Sequence, residues 1–326
     1  MDLVAYLITF GLLEFIYYKK IPRAGGTLSD FPADERKRIT RYALFYNFND
    51  AGIGLLNADF DNFIIVMYLN PIAVGAYAFC YRITQMAEQI LPTNYLLQVI
   101  QPLFFSSNIV ASPDQINRKF QLLLKITYLF QIPLFCFFLL FSQECIRVLF
   151  EGKFLEYYLV LIAISFVSLL NAFQDPVGLV AQLIEKADII LYSKFFAVYN
   201  LIADVIFIHY LGLWGAVLAT GSATLGKNIF IWFFVRDSAN LYGMAPFFLR
   251  LLGYWAIIVS FGLFFKTLIS SDLIVFFVGV CWLCLASWFQ LRFVHLKKQE
   301  QEFLSLLGSE SPKVALFLRL SGLSEV

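Results

Sequence analysis

Charged residues are scarce in this chain, at 14% of 326 residues, against about a quarter in soluble domains. Apolar residues make up 60%, and the mean hydropathy is +0.75. A soluble globule could not keep so much apolar surface from water, which excludes an ordinary cytosolic enzyme. The net charge of +1 excludes a nucleic-acid partner, because it offers no basic footprint. The composition, with 37 Phe and 17 Tyr, is typical of a multi-spanning α-helical protein whose partner is the lipid bilayer.

Residues that carry catalysis or bind metals are also few, with five cysteines and two histidines. Cys281 and Cys284 form a CxxC motif, but they lie in an apolar run without further ligands nearby, which favours two small apolar residues on one helix face. His209 and His295 are far apart, and no HExxH, GxSxG, P-loop or dinucleotide motif is present. We therefore expect no enzyme activity, no bound metal and no organic cofactor.

Nine apolar runs are candidates for membrane spans, since a helix needs roughly 20 residues to cross the hydrocarbon layer. The first is short and the third to fifth contain prolines. The runs predict an all-α membrane protein with about nine transmembrane helices, at 3–18, 42–69, 72–105, 120–141, 157–184, 189–211, 213–235, 246–269 and 273–293.

Basic residues are distributed unequally between the two sets of connections. One set, with the C-terminal tail, holds 19 of the 24 Lys and Arg residues, and the other set holds three. By the positive-inside rule, the rich side and the C-terminus are cytoplasmic. We therefore predict a multi-pass protein of the cytoplasmic (inner) membrane.

The spans divide into groups of different polarity. Residues 1–18 form an isolated helix, 19–41 a basic cytoplasmic linker, and 42–236 a six-helix bundle that carries the polar residues. Residues 246–293 form two accessory helices, and 294–326 form either a short interfacial helix or a loosely ordered tail. Nine spans with a cytoplasmic C-terminus put residue 1 outside, which favours the downstream part of a longer transporter over a genuine N-out protein.

Polar side chains within the spans are the main functional signal, because such groups are expensive in hydrocarbon. In the second span Asp50, Asn57 and Asp61 fall on one helical stripe. An amide side chain inside a span can simply form a hydrogen bond between neighbouring helices. The ionisable side chains inside the spans instead favour a shared hydrated cavity, in which Arg82 would pair with Asp61 or Glu88. The candidate cavity residues are Asn57, Asp61, Arg82, Gln85, Glu88, Gln89, Asn171, Asp175, Asn200, Asp204 and Lys227.

Prolines at 92, 102, 133 and 176 lie inside predicted spans. Each removes a backbone hydrogen bond and can bend its helix. Bent helices around a polar centre suit alternating access, although bends that only serve packing are as common.

Three segments resemble a known family. The first segment, 61–83, has Asp61 before an apolar run, followed by Pro-Ile-Ala-Val-Gly-Ala-Tyr and then Tyr-Arg-Ile. The second, 148–153, reads Val-Leu-Phe-Glu-Gly-Lys. The third consists of Asn200 and residues 211–220. Together they resemble the polysaccharide flippases of the multidrug/oligosaccharidyl-lipid/polysaccharide superfamily. Glu151 departs from the family pattern by one extra residue before the glycine. The similarity covers roughly 40–236, in the family's C-terminal half.

The resemblance implies a flippase that moves a lipid-linked oligosaccharide, such as an O-antigen unit, by alternating access. Arg82 and Lys227 would then offset diphosphate or acidic sugar charge. Asn57, Gln85, Gln89, Asn171 and Asn200 would bind sugar hydroxyls. Asp61, Asp175 and Asp204 would hold a coupling proton or Na⁺, or else anchor the arginine. The family's N-terminal half would be a missing partner, alongside glycan-assembly proteins.

Three rival functions remain. A drug/cation antiporter of the same superfamily predicts an acidic, aromatic cavity with little cationic character. An inactive or accessory half-transporter would need a partner chain. A membrane-embedded polysaccharide polymerase is the least favoured, because the longest external loop, about 142–156, contains no histidine.

Overall fold

The computed structural model describes residues 10–13, 15, 32–38, 40, 59–93, 96–97, 101, 113–269 and 271–293. The chain divides into two compact units, residues 1–47 and residues 48–326. In the first unit, the described residues are helical at 10–13 and 15, and again at 33–38 and 40. Most of the predicted first span and basic linker, and all of the predicted tail, lie outside the described residues.

The second unit is built from helices, and no strand occurs among its described residues. The all-α membrane class is therefore confirmed. The helices are α1 (Asp59–Tyr68), α2 (Pro71–Ile90), α3 (Pro113–Phe150), α4 (Tyr158–Asn171), α5 (Gln174–Leu183), α6 (Ala187–Tyr192), α7 (Phe195–Leu211), α8 (Leu213–Val235), α9 (Ala245–Leu268) and α10 (Asp272–Phe293), with a 3₁₀ turn at Leu155–Tyr157.

Five of the described segments are long and apolar enough to cross a membrane: Pro113–Phe150, Leu155–Leu183, Asp188–Leu211, Ala245–Leu268 and Asp272–Leu291. The predicted total of nine stays a prediction. Helices α2 and α8 have 20 and 23 residues, yet they are not among the five. Both carry polar side chains in mid-helix, which lowers their mean hydropathy.

Three spans that the sequence predicts as continuous helices are interrupted in the structure. The run 157–184 is split between α4 and α5, and the run 189–211 between α6 and α7. Pro176 lies in the first turn of α5, where its missing N–H removes no bond within the helix. The run 72–105 is interrupted at Leu91, whose extended ψ of 137° fits the steric restriction on a residue before proline.

Helix α3 is longer than predicted, with 38 residues instead of the run 120–141. Its last turns occupy most of the predicted loop 142–156. The helix contains Pro133, and at Phe141 its backbone leaves helical geometry, with φ −120° and ψ 16°. It therefore has two places at which its direction can change.

The turn that follows α3 packs against α2. Gly152 has φ +76° and donates its N–H to the Ile146 carbonyl at 3.1 Å, which ends the helix. The ring of Phe154 then lies on Gly75 of α2, where an added Cβ would be 3.3 Å from the ring. The ring of Phe150 also packs edge-on against Phe79 of α2, with centroids 4.8 Å apart, so two of the segments that carried the family resemblance are in contact.

Two apolar clusters organise the second unit. One surrounds α3 and joins it to α5, α8, α9 and α10. The other joins α1, α2, α4, α7 and α8, and it includes residues of α3 and Phe276 of α10. Helix α4 packs against α2, α3 and α8, so it stands between the two clusters.

A tight turn connects α7 to α8. Gly212 adopts φ 58° and ψ −137°, a conformation that side chains rarely permit. Gly215 is the third residue of α8, and a Cβ there would lie 2.2 Å from the carbonyl carbon and oxygen of Phe207. Because the obstacle is backbone, no side-chain rotation can relieve the contact.

Gly215→Ala should destabilise the protein by about 1–3 kcal/mol, since overpacking forces backbone shifts. The measurement is the midpoint of SDS-induced unfolding in mixed micelles. Gly253→Ala is the matched control, because its Cβ would meet nothing within 4 Å and alanine favours the helix. Equal midpoints for the two variants would contradict the assigned α7–α8 packing.

Candidate functional site

A polar cavity of about 450 Å³ lies among α1, α2, α4, α7 and α8. Its wall combines hydroxyl, amide, carboxyl and ammonium groups with a few apolar side chains. The lining residues include Asp61, Tyr77, Tyr81, Thr84, Gln85, Glu88, Ser168, Asn171, Gln174, Lys194, Asn200, Thr220, Thr224 and Lys227. A polar interior within an apolar helical bundle is the arrangement expected of a solute path.

Asp61 of α1 is held at one end of the cavity, and its side chain is only 5% exposed. The Tyr77 hydroxyl donates to Asp61 Oδ2 at 3.2 Å, and the Thr220 hydroxyl donates to the same oxygen at 3.3 Å. Asn200 Nδ2 donates to Oδ1 at 3.3 Å. Donors from α2, α7 and α8 therefore converge on a carboxyl group of α1.

Asp204, one turn beyond Asn200 on α7, is fully buried beside Asp61 and within hydrogen-bonding reach of it. Neither Asp204 oxygen has a donor among the described residues, and Asn200 Oδ1 also lacks one. We call Asp61 and Asp204 the acidic pair. Two buried carboxylates in contact repel each other, so a shared proton or a bound cation must neutralise the pair.

Ligands for a cation are arranged around the acidic pair. Within the described part of the chain, no three His, Cys, Asp or Glu side chains come together. The Asp204 carboxylate and the Thr220 hydroxyl nevertheless lie next to Asp61. Asn200 faces Asp61 with its amide nitrogen, and its amide oxygen is buried without a donor among the described residues. Hard cations prefer oxygen ligands, and a set with two carboxylates suits a small cation of low charge.

The opposite end of the cavity is basic. Lys227 lies seven residues beyond Thr220 on α8, about 10 Å along the helix axis at 1.5 Å per residue. Its ammonium group donates to Gln174 Oε1 at 2.5 Å. Lys194, at the start of α7, lines the same cavity and is close enough to affect Lys227 electrostatically. The cavity thus carries charges of opposite sign at its two ends.

A second compartment of about 240 Å³ adjoins the first and shares part of its wall, namely Gln85, Glu88, Ser168 and Asn171. Gln131 of α3 lies at this junction and donates to Glu88 Oε1 at 3.0 Å and to Ser168 Oγ at 2.6 Å. Ser168 in turn donates to Glu88. Three helices are therefore joined by hydrogen bonds between the two compartments.

The predicted site residues are distributed over these features. The larger compartment is lined by Asp61, Gln85, Glu88, Asn171, Asn200 and Lys227, and the smaller one by Gln89 and Asp175 as well as the shared residues. Asp204 lies beside Asp61, and Asn57 falls outside the described residues. As a functional set these residues remain a prediction.

Arg82 is exposed on α2 and lines neither compartment. The expected pairing with Asp61 or Glu88 is not formed. The cavity face of α2 is made by Tyr77, Tyr81 and Glu88, and Arg82 is turned about 100° from Tyr81 around the helix.

Sequence reasoning missed several residues of the cavity. They are uncharged or lie near helix ends, so they did not stand out as costly in lipid: Tyr77, Gln131, Ser168 and Lys194 contribute to the walls. A signal was available in α2, because Tyr77, Tyr81, Thr84 and Glu88 follow the helical repeat.

Fold and site together define a helical membrane protein with an internal polar cavity. Residues 29–159 match the family model of a polysaccharide biosynthesis protein. This segment includes α1, α2, α3 and the first two resemblance motifs, so the similarity to the flippase-type polysaccharide family is confirmed. The match indicates a role in polysaccharide biosynthesis or transport. No curated protein matches the chain.

Asp204→Asn should stabilise the protein at alkaline pH, where the pair has lost a shared proton, in buffer whose only added cation is choline. The amide can donate to Asp61 and removes one of two adjacent carboxylates, an effect of about 1–3 kcal/mol. Thermal unfolding followed by circular dichroism in detergent measures the change. Asp237→Asn is the control, because Asp237 is an exposed residue of the α8–α9 connection. A lower midpoint for Asp204→Asn would contradict the repulsion between the two carboxyl groups.

Proposed function

We propose that the chain is a flippase-like transporter that moves lipid-linked oligosaccharide across the cytoplasmic membrane by alternating access. The observation that carries this proposal is the cavity of about 450 Å³, with a basic end, an acidic end and an amide- and hydroxyl-lined wall. The polysaccharide family match over residues 29–159 supports the cargo class.

The wall chemistry supports a glycan as the polar part of the cargo. Gln85, Asn171 and Asn200 offer both donors and acceptors, which match sugar hydroxyls. Tyr81 and Phe196 add aromatic surface to the same wall. A volume of about 450 Å³ lies within the range of small-molecule sites, so part of a repeat unit would fit at one time.

The basic end supports an anionic group on the cargo. Lys194 and Lys227 face one cavity, and their mutual repulsion is relieved when an anion lies between them. A lipid diphosphate or an acidic sugar supplies such an anion. In the orientation predicted by the positive-inside rule, this end is nearer the cytoplasm, where a lipid-linked precursor would enter.

The acidic pair supports coupling to a proton or to Na⁺. Its donors come from α2, α7 and α8, so neutralising the pair alters contacts among the helices of the wall. Occupancy by a cation would thereby favour one arrangement of those helices over another.

Replacing the basic end tests the anion-binding role. Lys227→Gln should slow translocation by roughly tenfold to a hundredfold, the range for losing a hydrogen bond to a charged group. The full chain is reconstituted in vesicles with a fluorescent polyprenyl-diphosphate disaccharide, and transfer is measured by access of an added glycosidase. Arg250→Gln, an exposed position on α9, is the charge-matched control. Unchanged transfer by Lys227→Gln would remove Lys227 from the path.

The same vesicles discriminate the rival functions. A drug/cation antiporter would expel ethidium against a Na⁺ or proton gradient and would leave the glycolipid in place. An accessory half-transporter would be inactive alone and would become active with a separate helical polypeptide. The two lysines in the cavity favour the glycolipid over organic cations.

Sodium binding should be visible without transport. Na⁺ at 100 times its dissociation constant should stabilise the wild type by about 2.7 kcal/mol relative to choline. Asp61→Asn and Asp204→Asn should abolish the thermal shift, whereas Asp175→Asn should retain it, because Asp175 lies outside the acidic pair. A wild-type midpoint that responds to pH and ignores Na⁺ would assign the pair to proton coupling.

A further inference from the structure

Helix α3 contains a carbonyl group that its own backbone cannot pair. Pro133 has no amide hydrogen, so the carbonyl of Leu129, four residues earlier, lacks its helical donor. Gln131 lies between these two residues on the part of α3 that reaches the cavity wall. The geometry at Pro133 therefore bears directly on where Gln131 points.

A side chain of α10 supplies the missing donor. Gln290 Nε2 donates to the Leu129 carbonyl at 2.7 Å, and Gln290 is only 2% exposed. Trp255 of α9, equally buried, donates its indole N–H to Gln290 Oε1. The amide of Gln290 is thus fixed from both sides, and hydrogen bonds in such a dry environment are costly to leave unmade.

The second irregularity of α3, at Phe141, is held by the same two helices. Lys266 of α9 donates to the Leu140 carbonyl at 2.9 Å and to Glu144 Oε2 at 3.0 Å. Gly262 and Gly279 allow the close approach, since a Cβ would be 2.8 Å from Leu140 Cδ1 or 2.6 Å from the Phe141 ring.

The contact between Gln290 and Leu129 lies next to a residue of the cavity wall. Gln131 follows Leu129 by two residues, and its Nε2 bridges Glu88 of α2 and Ser168 of α4. The hydrogen bond from Gln290 holds the backbone of α3 next to Gln131, so its loss would let this part of α3 move away from Glu88 and Ser168. The apolar pair α9–α10 lines neither polar compartment, yet it contacts the backbone that presents Gln131.

We propose that α9 and α10 form a brace that holds α3 at Pro133 and at its kink at Phe141, and thereby positions Gln131 in the cavity wall. Gln290 and Lys266 act as positioning residues in this arrangement. The proposal depends on the proposed function only in treating that wall as a transport surface, and the structural part is testable without transport.

The test uses Pro133→Ala as a rescue. Gln290→Leu leaves the Leu129 carbonyl without a donor, whereas alanine at position 133 provides the helix with its own N–H for that carbonyl. The background is a chain whose five native cysteines are replaced by alanine. The substitutions Gln131→Cys and Ser168→Cys then introduce a pair of thiols, whose rate of oxidative cross-linking reports the α3–α4 distance.

The expected result is a cross-linking rate about tenfold lower in Gln290→Leu, the size expected when one buried carbonyl loses its donor. The Pro133→Ala/Gln290→Leu chain should cross-link within about twofold of Pro133→Ala alone. Leu283→Ala is the control for general packing loss and should have a smaller effect, because Leu283 is a buried apolar residue of α10 and its loss leaves the hydrogen bond from Gln290 to Leu129 in place. An unchanged rate in Gln290→Leu, or failure of Pro133→Ala to rescue it, would overturn the brace.

A second measurement covers the case in which the chain without its native cysteines does not fold. The same double-mutant cycle is followed by thermal unfolding with the native cysteines present, and Pro133→Ala should again reduce the effect of Gln290→Leu; additive shifts would overturn the proposal. Glycolipid transfer is then measured for each variant. A wild type that transfers no glycolipid refutes the proposed function, whereas the cross-linking and unfolding results decide the brace independently.

Discussion

The structure depends on one constraint: inside a membrane, each polar group must find its partner within the protein or face a hydrated cavity. Water is absent from the hydrocarbon layer, so the described spans are helical, and polar side chains such as Asp61 and Lys227 line an internal cavity. Where a helix cannot pair its own carbonyl, as at Leu129, a side chain from a neighbouring helix does so. The same constraint gathers donors from three helices around Asp61.

Helix breaks place the cavity residues. Asn171 at the end of α4 and Gln174 at the start of α5 both reach the cavity wall, and so do Ser193 and Lys194, which form the connection between α6 and α7. A continuous helix would point the adjacent residues Ser193 and Lys194 about 100° apart. The breaks therefore contribute to the polar lining as well as to the path of the chain.

The fold class could be predicted because long apolar runs and basic loops can be recognised in the sequence itself. Helices α8 and α9, for example, begin and end within a residue or two of the predicted spans. The helix breaks at Phe173 and Ser193 could not be predicted, because neither position is a glycine or a proline. For the site, helical spacing brought Asp61 and Asp204 into the candidate list. The prediction that Arg82 lines the cavity failed, because the high free-energy cost of a charge in lipid does not specify which face of α2 points inward.

The two ends of the cavity make different demands on a transport cycle. Lys227 donates to the neutral amide of Gln174, and Asp175 and Lys194 are both close enough to affect its charge, so an approaching anion competes with Asp175 for the ammonium group. Asp204, in contrast, has no donor for either oxygen within the described part of the chain, and it must be neutralised before the surrounding helices can close on it. Binding at the basic end and neutralisation at the acidic end act on the same helices, α7 and α8. A shared pair of helices is the physical route by which a cation could alter the affinity for an anionic cargo.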